Sequence, residues 1–574
     1  MSFTTTAPAD TAKVNSLRDK LAHWDIITRA DAANQLSTLA TQQDPEWTVY
    51  VCDKFWNKMG ELGSDLMDLQ GTDPRNQLPA GTLVSKGDCR FIDQFMDCRN
   101  TMVGIIVETE GLRFPYYVVS HDYEFKEGMW TSTCNLKGIW DILNFYQIWP
   151  DWLLPIQAQV FSHAIFVWGL CTVIETMVAE CSLRIQSGLW EFVNNALSLN
   201  PDFAAWFGSL LQSNGNIFQM LKTPMYVVRT DPFIDQSPFF VKTVRMESCG
   251  SVIADITKPY GVDCSLDLWL PGDPQPDQWA NLDQPTYVFS TKDRSQITGP
   301  TQTVLDGVLR TVVDLEGSLL GNTLDPLLNP TGGNNGAPEG VFIAPRIGVD
   351  FIRPWALLIA PDPGDKQGSV YACKISDHTP QGWQHIIGGR SPKWLNDLMN
   401  STFSWIIDSI SILIGFSGIP SNILDGFLNN AFLAFQLIQH YGRRNDVGPY
   451  HPGIEVFHAT ASAPYNVETV FGFINALWDS RGYTSATAVF RNGEVYTLGR
   501  DVFRGGLMSL LYHNRSKLYT DYIENIMFHI GETERDILVQ IGDGKAEEAP
   551  LAKHQRFITG VFESINVLTL APQS

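Results

Sequence analysis

No Cys-x-x-Cys pair occurs among the nine cysteines, Cys52, Cys89, Cys98, Cys134, Cys171, Cys181, Cys249, Cys264 and Cys373. That spacing and the odd count argue against a zinc ribbon or a secreted disulfide framework. Reduced, mostly buried thiols and synthesis in a cytoplasm are expected instead. Basic charge is scarce: 40 Lys and Arg stand against 62 Asp and Glu, a net charge of −22. Such a surface repels nucleic acid and anionic lipid, which argues against a sequence-reading DNA binder. The first residues, MSFTTTAPADTAK, lack the basic and apolar regions of a secretion signal.

Catalytic and nucleotide signatures are also missing. There is no Gly-x-x-x-x-Gly-Lys-Ser/Thr loop: IGDGKA places Ala546 where the magnesium-binding hydroxyl belongs. No Gly-x-Gly-x-x-Gly follows a strand, and neither Gly-x-Ser-x-Gly nor His-Glu-x-x-His occurs. Two stretches are poor in charge, Trp152–Ile174 and Leu398–Gly442. Pro155, Gln157, Gln159, Ser162 and His163 interrupt the first, and Asp408 and Gly415 the second. Both read as buried core helices, with a membrane-active segment as the alternative.

What is abundant is apolar and aromatic material. The chain has 574 residues, 44% hydrophobic, with 17 Trp and 32 Phe. This is enough for several cores and for large subunit contacts. The pattern along the chain predicts an α+β, multi-domain protein, with β-barrel or sandwich domains and inserted helical segments. Residues 1–44 form a helical extension, with Val14, Leu17, Leu21, Trp24 and Ile27 at helical steps. Residues 45–136 form a first β domain: WTVYVC, then TMVGIIVETEGLRFPYYVVS as a hairpin turning at Glu110-Gly111, then a turn at KEG. Residues 137–222 read as a helical insertion, and 223–340 as a β-rich, proline-containing region ending in the linker NPTGGNNGAPEG. Residues 341–483 hold strands at WALLIA and SVYACKIS and then an apolar helical block from Pro392 to about Tyr441. Residues 484–574 form a β-meander and a tail, with turns at Asn492-Gly493 and Asp543-Gly544.

Candidate chemistry is thin. His378/His385 and His451/His458 are each seven apart, but Pro380 and Pro452 forbid one helical face, so they read as surface or core histidines and not ligands. Asp293 and Asp306 would suit acid–base work only if they faced a cleft; turn and capping roles are the plainer reading. Asp543, Glu547 and Glu548 read as a charged hairpin end, without the oxygen spacing of a calcium loop. In TLGRDVFRGG, Gly499 and Gly505-Gly506 supply turn angles, Asp501 fits an Asx turn, and Arg500 and Arg504 are expected to pair with acidic neighbours. No catalytic, cofactor-binding or metal residue is assigned.

The order of certain segments carries more. GGRSPKWLN, IGFSGIPSNILDGFLNNAFLAFQ, RRNDVGPYHPGIEVF, LWDSRGYTSATAVFRNGEVYTLGRDVFRGG, YTDYIENI and VQIGDGKAEEAP follow one another in the C-terminal third. IWPDWLLPIQAQ and LWLPGDPQP lie upstream. As an ordered set over most of residues 45–550, they resemble the tail hub, or minor tail, proteins of long-tailed bacteriophages infecting actinobacteria. Those are in turn similar to the trimeric baseplate hub of contractile-tailed phages. The resemblance implies a homotrimer at the distal end of the tail tube, in the virion tail tip. Two tube-like β domains per chain would then present a pseudo-sixfold ring to a sixfold tube. It implies contacts with the distal tail protein and other minor tail proteins, with the tape measure protein and with the host envelope. Genomic DNA would pass through unbound, and the protein would have no cofactor and no enzymatic role. A tail-associated cell-wall hydrolase and a receptor-binding module are the alternatives.

Overall fold

The structure, a computed structural model, describes residues 16–17, 20, 25–39, 47–109, 112–187, 225–257, 260–307, 328–388, 435–459, 480–490 and 496–542, apart from 331–335, 339–340, 342, 353, 355, 365–369, 497, 500, 515 and 532–534. The described residues fall into two units, one within Met1–Ile375 and Ser485–Glu547, the other within Ser376–Thr484.

The first unit begins with helix α1 (Ile26–Leu39). Asp25 starts it by accepting the Thr28 amide at 3.0 Å, the capping role its short carboxylate suits. Seven strands follow: β1 (Trp47–Cys52), β2 (Lys58–Glu61), β3 (Leu66–Pro74), β4 (Ala80–Lys86), β5 (Gly104–Thr109), β6 (Leu112–Lys126) and β7 (Met129–Gly138). Helix α2 (Ile92–Met96) lies between β4 and β5. Strand β5 pairs with β6 as far as Thr109↔Leu112, and a two-residue loop joins β6 to β7, where Lys126 pairs with Met129. Glu127 and Gly128 take φ of 53° and 87°, the left-handed pair a tight hairpin turn demands.

Next come helix α3 (Ile142–Phe145), strand β8 (Ala164–Gly169), helix α4 (Leu170–Ser187), strands β9 (Met225–Val227) and β10 (Phe239–Val244), helix α5 (Cys249–Thr257), and strands β11 (Val262–Trp269), β12 (Thr286–Asp293) and β13 (Ile297–Thr298). After β14 (Asp350–Phe351) and β15 (Leu357–Ile359), strand β16 (Ala372–His378) carries the chain into the second unit. That unit contains β17 (Gln384–Gly388), β18 (Phe435–Gln439), helix α6 (Tyr441–Val447) and β19 (Glu455–Ala459); β17 pairs antiparallel with β18 and parallel with β19. Strand β20 (Tyr483–Phe490) returns the chain, and β21 (Leu507–Tyr512), β22 (Lys517–Gly531) and β23 (Arg535–Ile541) complete the first unit.

Among the described residues, the first and last β regions do not form separate sheets. Strands from both ends of the chain share one sheet, in the order β16-β20-β23-β22-β3-β4-β7-β6-β5-β1-β2, with β21 also paired to β22 and β15 paired to β21. Among the described residues this path is open at β2 and β16. The join is β22 against β3, antiparallel from Asn525↔Pro74 to Gly531↔Asp68. One core runs beneath it, from Val49, Leu69, Leu83 and Leu136 to Met508, Ile526, Phe528 and Val539. The run Gly104-Ile-Ile-Val explains a second layer. Ile105 and Val107 enter that first core, while Ile106 enters another, built by α4, α5 and β8 to β12. A strand covered on both faces reads as a continuous apolar run, not an alternating one.

Three local expectations are corrected. The uncharged run Trp152–Ile174 is not one helix: Ala164–Gly169 is strand β8, paired along its length with β10, and α4 starts only at Leu170. The same strand breaks the helical reading of 137–222. Phe435–Gln439, at the end of the block read as helical, is strand β18, because FQLIQ pairs with QHIIG of β17. The region 223–340, read as β-rich, holds strands β9 to β13 and also helix α5, whose Val252, Ile253 and Ile256 are buried at helical spacing. Residues 398–434, most of the linker, and the Glu110-Gly111, Asn492-Gly493 and Asp543-Gly544 turns lie outside the described residues. Among the described residues, no helix is long and apolar enough to cross a membrane.

Candidate functional site

Strand β11 pairs with β12 along one edge, from Val262↔Asp293 to Trp269↔Thr286. Side chains of the large sheet occupy its other edge. Unpaired backbone groups on a buried strand edge are costly, so they must find partners. Asn76, in the loop after β3, answers two of them. Its amide nitrogen donates to the Val262 carbonyl at 2.8 Å, and its oxygen accepts the Cys264 amide at 2.8 Å. The side chain thus pairs with β11 as a strand would, from a backbone at φ 50°.

Arg504 answers a third. It follows the short turn closed by Gly499, whose amide donates to the Val502 carbonyl at 2.7 Å. Its guanidinium donates to the Cys264 carbonyl at 2.7 Å, to Asp263 at 3.1 Å and to Asp73 of β3 at 2.5 Å. Asp263 also accepts from Arg294 at 3.0 Å, and the Arg294 guanidinium lies 4.0 Å over the Phe503 ring. Burial opposes a charged Arg504, but Asp73 and Asp263 outweigh it and hold the proton more tightly than on an ordinary arginine. Gly505, at φ 71°, brings the chain so close that a Cβ there would lie 2.7 Å from the Asp263 Cβ. Its freedom is required by that approach.

Arg113 of β6 answers the far end of β11. It donates to the Leu268 carbonyl at 2.8 Å, to Asp273 at 2.6 Å and to Glu108 at 2.8 Å. Lys58 adds a second cation at 2.8 Å from Glu108. Burial would raise the carboxyls of Glu108 and Asp273, yet their hydrogen bonds to these cations hold both below the usual range. Asp273 belongs to LPGDPQPDQW and accepts the Leu270 amide at 2.8 Å, so this irregular loop is ordered around it. Nearby, Arg75 pairs with Glu524 at 2.7 Å and donates to the Tyr260 carbonyl, linking β22 to the end of the α5 segment.

Chemically, this arrangement binds strands. Its carboxylates Asp73, Asp263, Asp273 and Glu108 are each held by guanidinium groups. The other sequence candidates are placed elsewhere. Asp306 is buried and accepts from the Thr301 hydroxyl at 2.7 Å and the Thr301 amide at 3.0 Å, a turn role. Asp293 ends β12 and accepts the Ser295 amide at 3.0 Å. His378 stacks on Tyr483 with ring centroids 4.2 Å apart, His451 meets the Thr379 hydroxyl at 3.0 Å, His385 is buried near Arg443, and His458 lies on β19. Asp501 is buried, while Arg500, Asp543, Glu547 and Glu548 lie outside the described residues. No described group of three His, Cys, Asp or Glu is arranged to hold a metal. Of the β11 clamp, sequence reasoning singled out only Arg504. Asn76, Arg113 and Asp263 were missed, and an Asn within the proline-flanked loop DPRNQLP was the one available signal.

One carboxyl titrates near neutrality. Glu180 on α4 is pushed up to about 7, chiefly by burial and secondarily by Asp151, with Arg229 pulling the other way. The folded state therefore binds this proton more tightly than the unfolded chain. Its contribution to stability is full below the ordinary glutamate value and is lost as pH rises through about 7. Glu180→Gln is expected to gain stability relative to the unchanged protein at pH 8 and to match it at pH 4.5. Urea midpoints at both pH values check this, and a difference independent of pH would contradict it.

No protein-family model and no curated protein matches the chain. Solved structures similar to it include the 43 kDa tail protein of prophage MuSo2 from Shewanella oneidensis, at 10% identity over 87% of this chain and 99% of that one, with a TM-score of 0.37. The tail protein from Neisseria meningitidis MC58 follows at 8% identity over 88% and 99%, with a TM-score of 0.35. Prophage tail protein gp18 from Listeria monocytogenes EGD-e matches at 9% identity over 90% and 99%, with a TM-score of 0.31.

Proposed function

We propose that this chain is a structural protein of a bacteriophage tail: a homotrimeric hub at the distal end of the tube, joining it to the tail tip and surrounding the DNA exit path. The observation that carries the reading is the ordered run of hub-like segments over most of residues 45–550. The single sheet gives that order a physical form. Strands more than four hundred residues apart, such as Asp68 of β3 and Gly531 of β22, pair directly over one shared core. Two β regions packed in this way support the reading of two tube-like halves within one subunit.

Three such chains close by a head-to-tail contact, and among the described residues the sheet's end strands β2 and β16 leave edges for neighbours. Exposed apolar side chains, among them Phe55, Phe125, Met129, Trp130 and Trp279, suit subunit or tail-tip contacts with the distal tail, minor tail and tape measure proteins. A net charge of −22 suits a passage that DNA crosses without binding. In this reading the chain performs no chemistry, and its charge clusters hold strands together. Cross-linking of intact particles is expected to give a three-chain species of this protein. Only monomer would contradict the hub, and digestion of host cell wall by this chain alone in a zymogram would favour the hydrolase alternative.

A further inference from the structure

Two cysteines that the clamp does not use meet in the second core. Cys181 on α4 and Cys249 at the start of α5 lie Sγ to Sγ at 3.6 Å, both buried. One short segment holds both. The Cys249 amide donates to the Tyr146 carbonyl at 2.8 Å, and the Cys181 thiol donates to the Gln147 carbonyl at 3.4 Å. Gln147 also bridges to Ser248, and the Ile148 amide donates to the Glu247 carbonyl at 2.9 Å. The sulfurs therefore sit on a fixed frame, and a bond between them needs a closure of about 1.5 Å to reach the S–S length near 2.05 Å.

The pair is also chemically unequal. Arg184, one turn along α4 from Cys181, donates to the Gln147 carbonyl at 2.9 Å and lies 4.0 Å over the Trp149 ring. The hydrogen bond from Cys249 and the Arg184 charge together hold the Cys181 thiol below its usual range against burial. Cys249, the donor in that bond and deeper in the core, is held above it. A thiol held below its usual range beside a cation, with a second thiol in contact, is the arrangement of an attacking and a resolving cysteine.

We propose that Cys181 and Cys249 are an oxidation site that takes a hydroperoxide and closes into a disulfide tying α4 to α5. The Cys181 thiolate attacks one peroxide oxygen, the O–O bond breaks, and hydroxide or alkoxide leaves, taking up a proton. Cys181 becomes a sulfenic acid. Cys249 then attacks that sulfur, the S–O bond breaks, and water leaves with the Cys249 proton. Two thiols lose two electrons and the peroxide gains them. The inference does not rest on the tail-hub reading.

The test exposes the reduced full-length protein to hydrogen peroxide, alkylates the remaining thiols under denaturing conditions, and maps the peptides. A thiol-reversible cross-link between the Cys181 and Cys249 peptides is expected, with the loss of both as alkylated thiols. In Cys249→Ser, a dimedone adduct on Cys181 is expected in its place. Recovery of both cysteines as free thiols, at a dose that consumes the exposed Cys373, would overturn the proposal. Cys181 found joined only to a different cysteine would also overturn it. The map of the unsubstituted protein decides the matter even if the variant does not fold.

Discussion

Arg504→Met is expected to destabilise the folded protein by about 3–5 kcal/mol, the scale for removing one partner from a buried ion cluster. The guanidinium is 11% exposed and its partner Asp263 only 3%, so the carboxylates left behind are not rehydrated in place. The edge of β11 also loses the donor to the Cys264 carbonyl. Arg504→Lys is expected to recover only part of the loss. One ammonium does not reproduce a planar fork that reaches Asp73, Asp263 and a carbonyl together. Urea unfolding of the three proteins, followed by tryptophan fluorescence, reads the order. A Met variant within about 1 kcal/mol of the original would show that the cluster contributes little net stability.

Phe528→Ala is expected to cost a comparable amount, about 3–5 kcal/mol, because it empties the middle of the β3–β22 join. The ring is 2% exposed and lies 4.9 Å from Phe114 and 5.4 Å from Trp47, centroid to centroid. It covers Gly71, its partner across the strands, so closely that a Cβ on Gly71 would fall 2.2 Å from it. This predicts a non-additive pair. Gly71→Ala is strongly destabilising alone and much less so in the Phe528→Ala background, where the obstructing ring is gone. Additive losses would mean that ring and glycine do not meet as described.

Local strand chemistry was legible in the sequence; long-range pairing was not. WTVYVC, the Gly104–Thr109 run, WALLIA and the KEG turn announce themselves through β-branched residues and left-handed turn positions. Ala164–Gly169 and Phe435–Gln439 did not, since short apolar runs look alike in helix and strand until a partner strand fixes them. The β3–β22 join was invisible because its only local sign is Gly71, and the aromatic ring that needs the glycine comes from the far end of the chain. The clamp followed the same rule. Arg504 in an acidic chain signals a carboxylate partner, but only the fold shows that the partners are Asp73 and Asp263. Asn76 satisfies a strand edge through its side chain, and nothing in its neighbours' identities states which edge.

The central claim, a hub built from two β regions in one sheet, is tested most directly by locating this chain in an intact particle. Density reconstructed at the tube's distal end is expected to show three copies around the tail axis, each with its β1–β7 and β20–β23 strands toward the tube. Density for this chain placed away from the tube's end, or present there as one copy or six, would contradict the account.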